Sequence, residues 1–306
     1  MRIADCGELE SRARALPAVR CAVVHPCDAG SLDGAMLAAQ TGLIEPIVYA
    51  PRAKFEALAE AEQRDVSAWT IIDVAHSHAA AQAAAQAAAA GEVEVVMKGS
   101  LHTDELLRAL LAERGLRTAR RMSHVYYFDI PAYHKPLLLS DCALNIAPKL
   151  PEKADIVQNA VDLAHLLGCA TPKVAVLAAV ETVNPDMPST LDAAALCKMA
   201  DRGQIRGALL DGPLAFDNAI SKEAAAIKKI TSPVAGDADV LLVPDLEAGN
   251  MLGKQLEYFA NAQLAGIVCG ARVPVILTSR ADHAPVRRLS ALLAKLMAHH
   301  YRVSPP

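Results

Sequence analysis

"CAVVHPCDAGSLDGAMLAAQTGLIEPIVYA", residues 21–50, is the stretch that decides the fold. "CAVVHP" reads as an apolar strand, "SLDGAMLAAQTGL" as a helix and "EPIVYA" as a second strand. Strand, helix and strand in immediate succession predict a βαβ crossover and therefore a parallel sheet. The alternation continues through "AKFEALAEAE", "TIIDV", "HAAAQAAAQAAAA" and "VEVVMKG". The alanine tract is low in complexity, but Ala has the highest helix propensity, so it predicts a helix with Gly91 as its stop.

Beyond "KGSLHTDELLRALLAERGL" the pattern changes. "HVYYFDIPAYHKPLLLSDCALNI" holds two strand-like runs around "IPAYHKP", which predicts a hairpin and the start of a second lobe near residue 130. Strands then recur as "KVAVLAAV", "GALLDGP", "ADVLLVPD", "AGIVCG" and "VPVILTS", each linked by a helical segment, and a last helix is predicted from about Pro285 to Tyr301. The fold expected is two-lobed α/β, with residues 1–130 plus 285–306 in the first domain and 131–284 in the second. The final helix would return to the first lobe and set its preceding strand end in a cleft between the lobes, since ligands of open α/β sheets bind beyond the carboxyl ends of strands.

Composition narrows the function. The chain has 306 residues, 53% apolar, 21% charged and only 4% aromatic, so its core is built of Ala, Val, Leu and Ile. That length favours two lobes over one core. A formal charge of −4 lacks the overall basic balance of a nucleic-acid binder. The seven cysteines are odd in number and include no C-x-x-C pair, which predicts reduced thiols in a cytoplasm and no structural zinc. The first twenty residues have no apolar signal core, and no later run reaches membrane-spanning length.

Among the motifs, "PVILTSRADHAPVRR", residues 274–288, places Ser279, Arg280 and Asp282 at the mouth of an apolar strand. One reading is a strand end, a capping Ser or Asp and surface arginines. The other is an anion site, with Arg280 forking two hydrogen bonds to phosphate or carboxylate and the following helix turning its positive end toward the same point. "SDCALNIAP" and "VPDLEAGN" end strands in Asp141, Asn145, Asp245 and Asn250, residues that serve turns and caps as readily as ligands. "MKGSLHTDELLRAL", residues 97–110, brings Lys98 to a glycine turn and a helix start, with Thr103 as the expected cap and Asp104 and Glu105 answering the dipole. "RTARRM" reads as a solvated basic edge or a phosphate contact. Asp211 and Asp217 would hold a divalent ion only with further oxygens, and neither His76 with His78 nor His299 with His300 reads as a metal pair. Walker, dinucleotide-fingerprint and G-x-S-x-G patterns are absent.

In this order the segments "VVMKGSLHT", "MSHVYYFDIP", "DCALNIAP", "PKVAVLAAVETVNPDMPST", "DGPLAFDNAISKEAA", "SPVAGDADVLLVPDLEAGN" and "VILTSRAD" resemble the phosphate acetyltransferase and phosphate butyryltransferase family. The resemblance covers about residues 20–300 and is nearer the butyryl branch. It implies a two-lobed fold like that of the isocitrate and isopropylmalate dehydrogenases, a homodimer or higher homo-oligomer with its contact in the second domain, and an active site in the cleft. The reaction implied is reversible transfer of a short acyl group between coenzyme A and inorganic phosphate, by direct thiolate attack, with no metal and no tightly bound cofactor.

By match to the family's Ser-Arg pair, Arg280 would hold the phosphate of the acyl phosphate and Ser279 would hydrogen-bond the reacting carbonyl or a phosphate oxygen. Lys98, Gly99, His102, Thr103, Ser123, Asn145, Asp245 and Asn250 would line the substrate cleft. The acidic residue that acetyl enzymes carry seven positions after the serine is Val286 here, so the base for the thiol would move to Asp282 or His283. The aromatic that relatives place after their Gly-Asn pair is replaced by Leu252 and Gly253. Two rival readings remain at this level: a metal-dependent nicotinamide-linked dehydrogenase of the same architecture, using Asp211, Asp217 or Asp245, and an acyl-CoA-binding module without catalysis.

Overall fold

The computed structural model describes residues 2–279 and 282–306. They form two compact units, one of residues up to Glu8 with Arg121–Leu264, the other of Leu9–Arg120 with Ala265–Pro306. These exchange points fall earlier in the chain than residues 130 and 284.

The unit of residues 9–120 and 265–306 follows the alternation of its sequence. After α1 (Cys6–Arg14) come β1 (Val19–Val24), α2 (Ala29–Gln40), β2 (Ile44–Ala50), α3 (Arg52–Ala61), β3 (Thr70–Asp73), α4 (Ser77–Ala89), β4 (Val95–Lys98) and α5 (Thr103–Ala112). The strand order is β3-β2-β1-β4-β11-β10, where β10 is Gln263–Cys269 and β11 is Val275–Ile276. β1 pairs in parallel with β2 and β4, and β4 pairs in parallel with β11. The alanine tract is indeed helical. Its small side chains Ala80, Ala81, Ala84, Ala85, Ala87 and Ala88 are buried, which lets α4 lie close against the strands.

One connection departs from expectation. β10 and β11 are not joined by a helix; they pair antiparallel, Ile267 opposite Ile276 and Val268 opposite Val275. The link "GARVP" is too short for a crossover, which needs a dozen or more residues. The last helix, α11 (Ala284–Tyr301), packs on α2 in the same unit.

In the other unit β5 (Ser123–Asp129) and β6 (Leu137–Ser140) form the expected hairpin, with Val125 opposite Ser140 and Phe128 opposite Leu137. Then follow α6 (Leu150–Leu166), β7 (Lys173–Leu177), α7 (Pro188–Asp201), β8 (Leu209–Leu214), α8 (Phe216–Ile220), α9 (Lys222–Ile227), β9 (Val240–Leu242) and α10 (Leu246–Phe259). The order is β5-β6-β9-β7-β8, parallel from β6 onward. At the amino ends of β7 and β9, Lys135 bridges Asp237 at 3.0 Å and Asp239 at 2.8 Å, while Lys173 and His134 also reach Asp237. Burial works to raise the Asp237 carboxyl, but the hydrogen bonds from Lys173, Lys135 and His134 outweigh it and hold that group well below the usual carboxylate range.

Candidate active site

In the unit of residues 9–120 and 265–306, three neighbouring strands end at one edge. Val24 of β1 stands opposite Lys98 of β4, and Met97 of β4 opposite Ile276 of β11. From β1 the chain winds outward through β2 and β3, whereas β4 lies on the other side of β1. The carboxyl ends of β1 and β4 therefore flank a topological switch point, where an open α/β sheet presents its ligand crevice.

The two ends are stitched tightly. Gly99 N–H donates to the Val24 carbonyl and Ser100 N–H to that of His25, both at 2.9 Å. A Cβ at Gly99 would lie 2.4 Å from the Val24 oxygen and 2.5 Å from the His25 oxygen, so only glycine permits this approach. Lys98 is 5% exposed and its Nζ donates to the Gly99 carbonyl at 3.4 Å. His102, exposed, is the residue before α5 and makes no side-chain capping bond; Thr103, the expected cap, is already the first helical residue.

At the end of β11 the loop that carries Ser279 is held from inside. Arg287 is 6% exposed. Its guanidinium donates from Nη1 to Thr278 Oγ1 at 2.9 Å, from Nη2 to the Ser279 carbonyl at 2.9 Å and from Nε to the Asp282 carbonyl at 3.3 Å. Its stem crosses α2 at Gly34, where a Cβ would come within 2.4 Å of Arg287 Cδ. The expectation of surface arginines thus fails for Arg287. Its place one turn into α11 turns it toward α2 and the loop.

Asp282 Oδ2 accepts from Ser279 N–H at 2.7 Å, so this buried carboxylate braces the backbone of the motif serine. The residue preceding α11 is His283, which makes no side-chain cap bond and is exposed. Arg280 lies outside the described residues.

The remaining candidates belong to the other unit, at the adjacent carboxyl ends of β6 and β9. There Asn145 donates from Nδ2 to the Met122 carbonyl at 3.0 Å and to Asp141 Oδ2 at 2.5 Å, and its Oδ1 accepts from Arg121 Nε at 2.5 Å. Asp141 Oδ1 takes the N–H groups of Ala143 and Leu144. Arg121 also bridges Glu152 at 2.7 Å, so one arginine of "RTARRM" is exposed, as a solvated edge would be, and also part of a network. α10 abuts this loop so closely that a Cβ at Gly249 would be 2.4 Å from the Asp141 carbonyl, and Asn250 Nδ2 donates to the Cys142 carbonyl at 3.3 Å. Asn145, Asn250 and Asp141 therefore meet. Asp245 caps α10 by accepting from Ala248 N–H at 2.8 Å, and Ser123 is fully buried with its hydroxyl accepting from Asn159 Nδ2 at 2.9 Å.

The carboxylates named for a metal are dispersed and engaged. Asp211 accepts from Gly212 N–H, Asp217 pairs with Lys228 and Asp245 caps its helix. Among the described residues no group of three His, Cys, Asp or Glu side chains is arranged to hold a metal ion.

Sequence reading did not single out His25, Ser100 or the structural use of Arg287. For His25 there was a signal: it is the polar residue that ends the first strand of the first βα unit, and strand ends are where open sheets place ligands. Its ring Nδ1 lies 3.0 Å from Ser100 Oγ.

Residues 50–293 match the family model described as "Phosphate acetyl/butaryl transferase". A phosphate acetyltransferase of Rhizobium meliloti is 54% identical over 283 residues, covering 92% of this chain and 90% of that protein. The phosphate butyryltransferase of Clostridium acetobutylicum is 42% identical over 278 residues, 90% of this chain and 92% of the relative. A crystal structure of a branched-chain phosphotransacylase from Enterococcus faecalis V583 superposes with a TM-score of 0.81 at 32% identity, covering 92% of this chain and 99% of that one.

Proposed function

The chain belongs to the family of phosphate acetyl and butyryl transferases, and on that premise we propose that it catalyses acyl-CoA + phosphate = acyl phosphate + CoA for a short acyl group, acetyl or butyryl. Coenzyme A, inorganic phosphate and acyl phosphate are the partners, with coenzyme A a substrate and not a resident cofactor. The observation that carries the reading within this chain is the shared edge of β1, β4 and β11. It puts Lys98, Gly99 and the Ser279 loop on one side of a sheet, at the switch point.

The reaction needs two things from such an edge: a fixed positive field for the phosphate that enters or leaves, and a grip on the carbonyl as it becomes tetrahedral. Arg280 takes the first role and Ser279 the second. The bonds from Arg287 and Asp282 to this loop support that assignment, because a hydroxyl aimed at a transition state must sit on a backbone that does not drift. Lys98, Gly99, His102 and Thr103 line the same edge. In the other unit, Asn145 and Asn250 hold the loop that follows β6, Ser123 accepts from Asn159 and Asp245 caps α10.

We also place the protein in the cytoplasm as a homodimer or higher homo-oligomer. The seven cysteines are all free, which suits a reducing compartment, and among the described residues no helix is long and apolar enough to cross a membrane. Met251, Tyr258 and Phe259, spaced along one face of α10, are 66%, 64% and 88% exposed and suit a second copy.

Thiol release from acetyl-, propionyl- and butyryl-CoA, with and without phosphate, tests the activity. Phosphate-dependent release with one acyl chain preferred is expected. Coenzyme A binding without turnover would instead favour a non-catalytic module. Arg280→Ala lowers acyl transfer at least about a hundredfold, the scale of losing one main charge-stabilising group.

A further inference from the structure

Val286, in the first turn of α11, carries no titratable group, and the two polar residues before the helix are placed for other tasks. Asp282 is occupied in bracing the Ser279 backbone, and His283 is exposed at the start of α11. The deprotonation of coenzyme A is thus without an evident agent on the motif itself.

His25 stands at the switch point, half-buried, on the first residue after β1. Its backbone is held at φ 52°, a left-handed conformation uncommon for a non-glycine residue, and such strain gathers where a side chain must be aimed. The carbonyl accepts from Ser100 N–H at 2.9 Å and from Ser100 Oγ at 2.8 Å, and the N–H donates to the Tyr49 carbonyl.

The serine fixes the imidazole tautomer. Ser100 has one hydroxyl hydrogen, and it goes to the His25 carbonyl, which can only accept. With that hydrogen on the carbonyl, the 3.0 Å contact with His25 Nδ1 runs from the ring, as Nδ1–H to Ser100 Oγ. Cys27 N–H, which donates to the His25 carbonyl at 2.9 Å, also lies 3.3 Å from Ser100 Oγ as its second acceptor. With Nδ1 protonated, the neutral ring carries its lone pair on Nε2, which has no hydrogen-bond partner among the described residues. β1 and β11 are two strand spacings apart, about 10 Å, so a thiol beside His25 and a phosphate at the Ser279 loop fit within one ternary complex.

We infer that His25 is the proton acceptor for coenzyme A, its Nε2 taking the thiol proton as sulfur attacks the acyl phosphate. The inference rests on the phosphate acyltransferase reading. The sulfur pair forms the C–S bond while the carbonyl π pair moves to oxygen. Collapse of the tetrahedral intermediate breaks the C–O bond to phosphate, whose oxygen keeps that pair and takes the proton back from the imidazolium. Acyl phosphate dianion and CoA-SH become acyl-CoA and hydrogen phosphate, with neutral His25 restored. In reverse, the same nitrogen accepts the proton of hydrogen phosphate and returns it to the leaving thiolate.

Burial lowers the His25 pKa from its ordinary value. The Lys54 charge from α3 adds to this, against Glu105 of α5 and Asp28 beside α2. The ring is therefore neutral at pH 7, and proton transfer is concerted with C–S bond formation because the thiol is the weaker acid.

His25→Asn is the decisive variant, since asparagine tolerates the left-handed conformation and its amide can still donate to Ser100, while it supplies no base. His25→Gln is the second variant, and circular dichroism and Tm check that both fold. Rates of acyl-CoA formation are measured from pH 6 to 9. The wild type is expected to vary little between pH 7 and 8. His25→Asn should be at least a hundredfold slower at pH 7 and gain about tenfold per pH unit toward the thiol pKa, roughly 8.5, because only pre-ionised coenzyme A reacts. Ser100→Ala, which loosens the tautomer, should lose about tenfold and keep the wild-type profile. Folded His25 variants with wild-type rate and profile would overturn the role of His25 and leave the acyltransferase reading intact. A wild type with no phosphate-dependent thiol release removes the reading itself.

Discussion

Two clusters of polar residues close the carboxyl ends of strands, one in each unit, and they differ in where their hydrogen bonds go. Around Asn145, the side chains answer one another: Arg121 to Asn145, Asn145 to Asp141, Arg121 to Glu152. Around β1, β4 and β11 fewer side chains answer one another, Arg287 to Thr278 and His25 to Ser100, and most of the bonds go to backbone. Arg287 grips the Ser279 and Asp282 carbonyls, Asp282 grips the Ser279 amide, and Ser100 grips the His25 carbonyl. The first arrangement is a mutually bonded group. The second positions loops, and leaves a ring nitrogen whose lone pair is not committed to another described residue. Residue type alone does not separate the two, since both contain the Arg and Asp expected of a binding site.

If that contrast is right, substitutions in the second cluster should damage turnover and those in the first mainly stability. Arg287→Ala should have the largest effect. It strips three hydrogen bonds from buried partners and leaves a void on Gly34, for a stability loss of about 3 kcal/mol or more, readable by urea unfolding. The loosened Ser279 loop should also lower acyl transfer about a hundredfold, and lysine should restore little of it because it cannot reproduce the fork.

Gly99→Ala comes next. Its Cβ must push the β4 end away from two backbone oxygens, so activity is expected to fall about a hundredfold for a stability loss of roughly 1–3 kcal/mol. A fully active Gly99→Ala enzyme would show that this edge is not the reaction centre.

Asn145→Ala sharpens the comparison from the other side. It leaves buried Asp141 Oδ2 and the Met122 carbonyl without their amide partner, so stability should drop by about 2 kcal/mol. The rate per folded molecule should stay within about tenfold of wild type; a larger kinetic loss with unchanged Tm would move Asn145 into direct substrate contact.

The smallest effect belongs to the ion cluster at the opposite strand ends. Asp237 is held below its ordinary value, so its contribution is present above the unfolded carboxylate pKa, about 3.9, and is lost as pH falls through the lower folded value. Melting between pH 5 and 2 should show a shallower acid decline in Asp237→Asn than in wild type, a difference within about 1 kcal/mol after solvent screening.

Much of this molecule was legible before any coordinates. β1, α2 and β2 lie where "CAVVHPCDAGSLDGAMLAAQTGLIEPIVYA" predicts them, the alanine tract is a helix, and β5 and β6 form the hairpin around "IPAYHKP". The link between β10 and β11 was misread, because two apolar runs separated by a short polar segment look the same whether they pair antiparallel or frame a crossover. Of the residues expected at the site, Lys98, Gly99 and Ser279 lie at one sheet edge, and Asn145 and Asn250 flank one loop. The reading of Arg287 as a surface arginine failed, and Thr103 is not the cap of α5.

What the sequence by itself determined is most of the order of strands and helices, and the family, since periodicity and local motifs are properties of neighbouring residues. Tertiary structure alone decided which polar groups serve the loops and which face chemistry. His25 Nδ1 meets a serine 75 positions away, and the grip on Ser279 depends on an arginine that Gly34 leaves room for. A hydrogen bond is set by distance and direction between groups that only folding brings together.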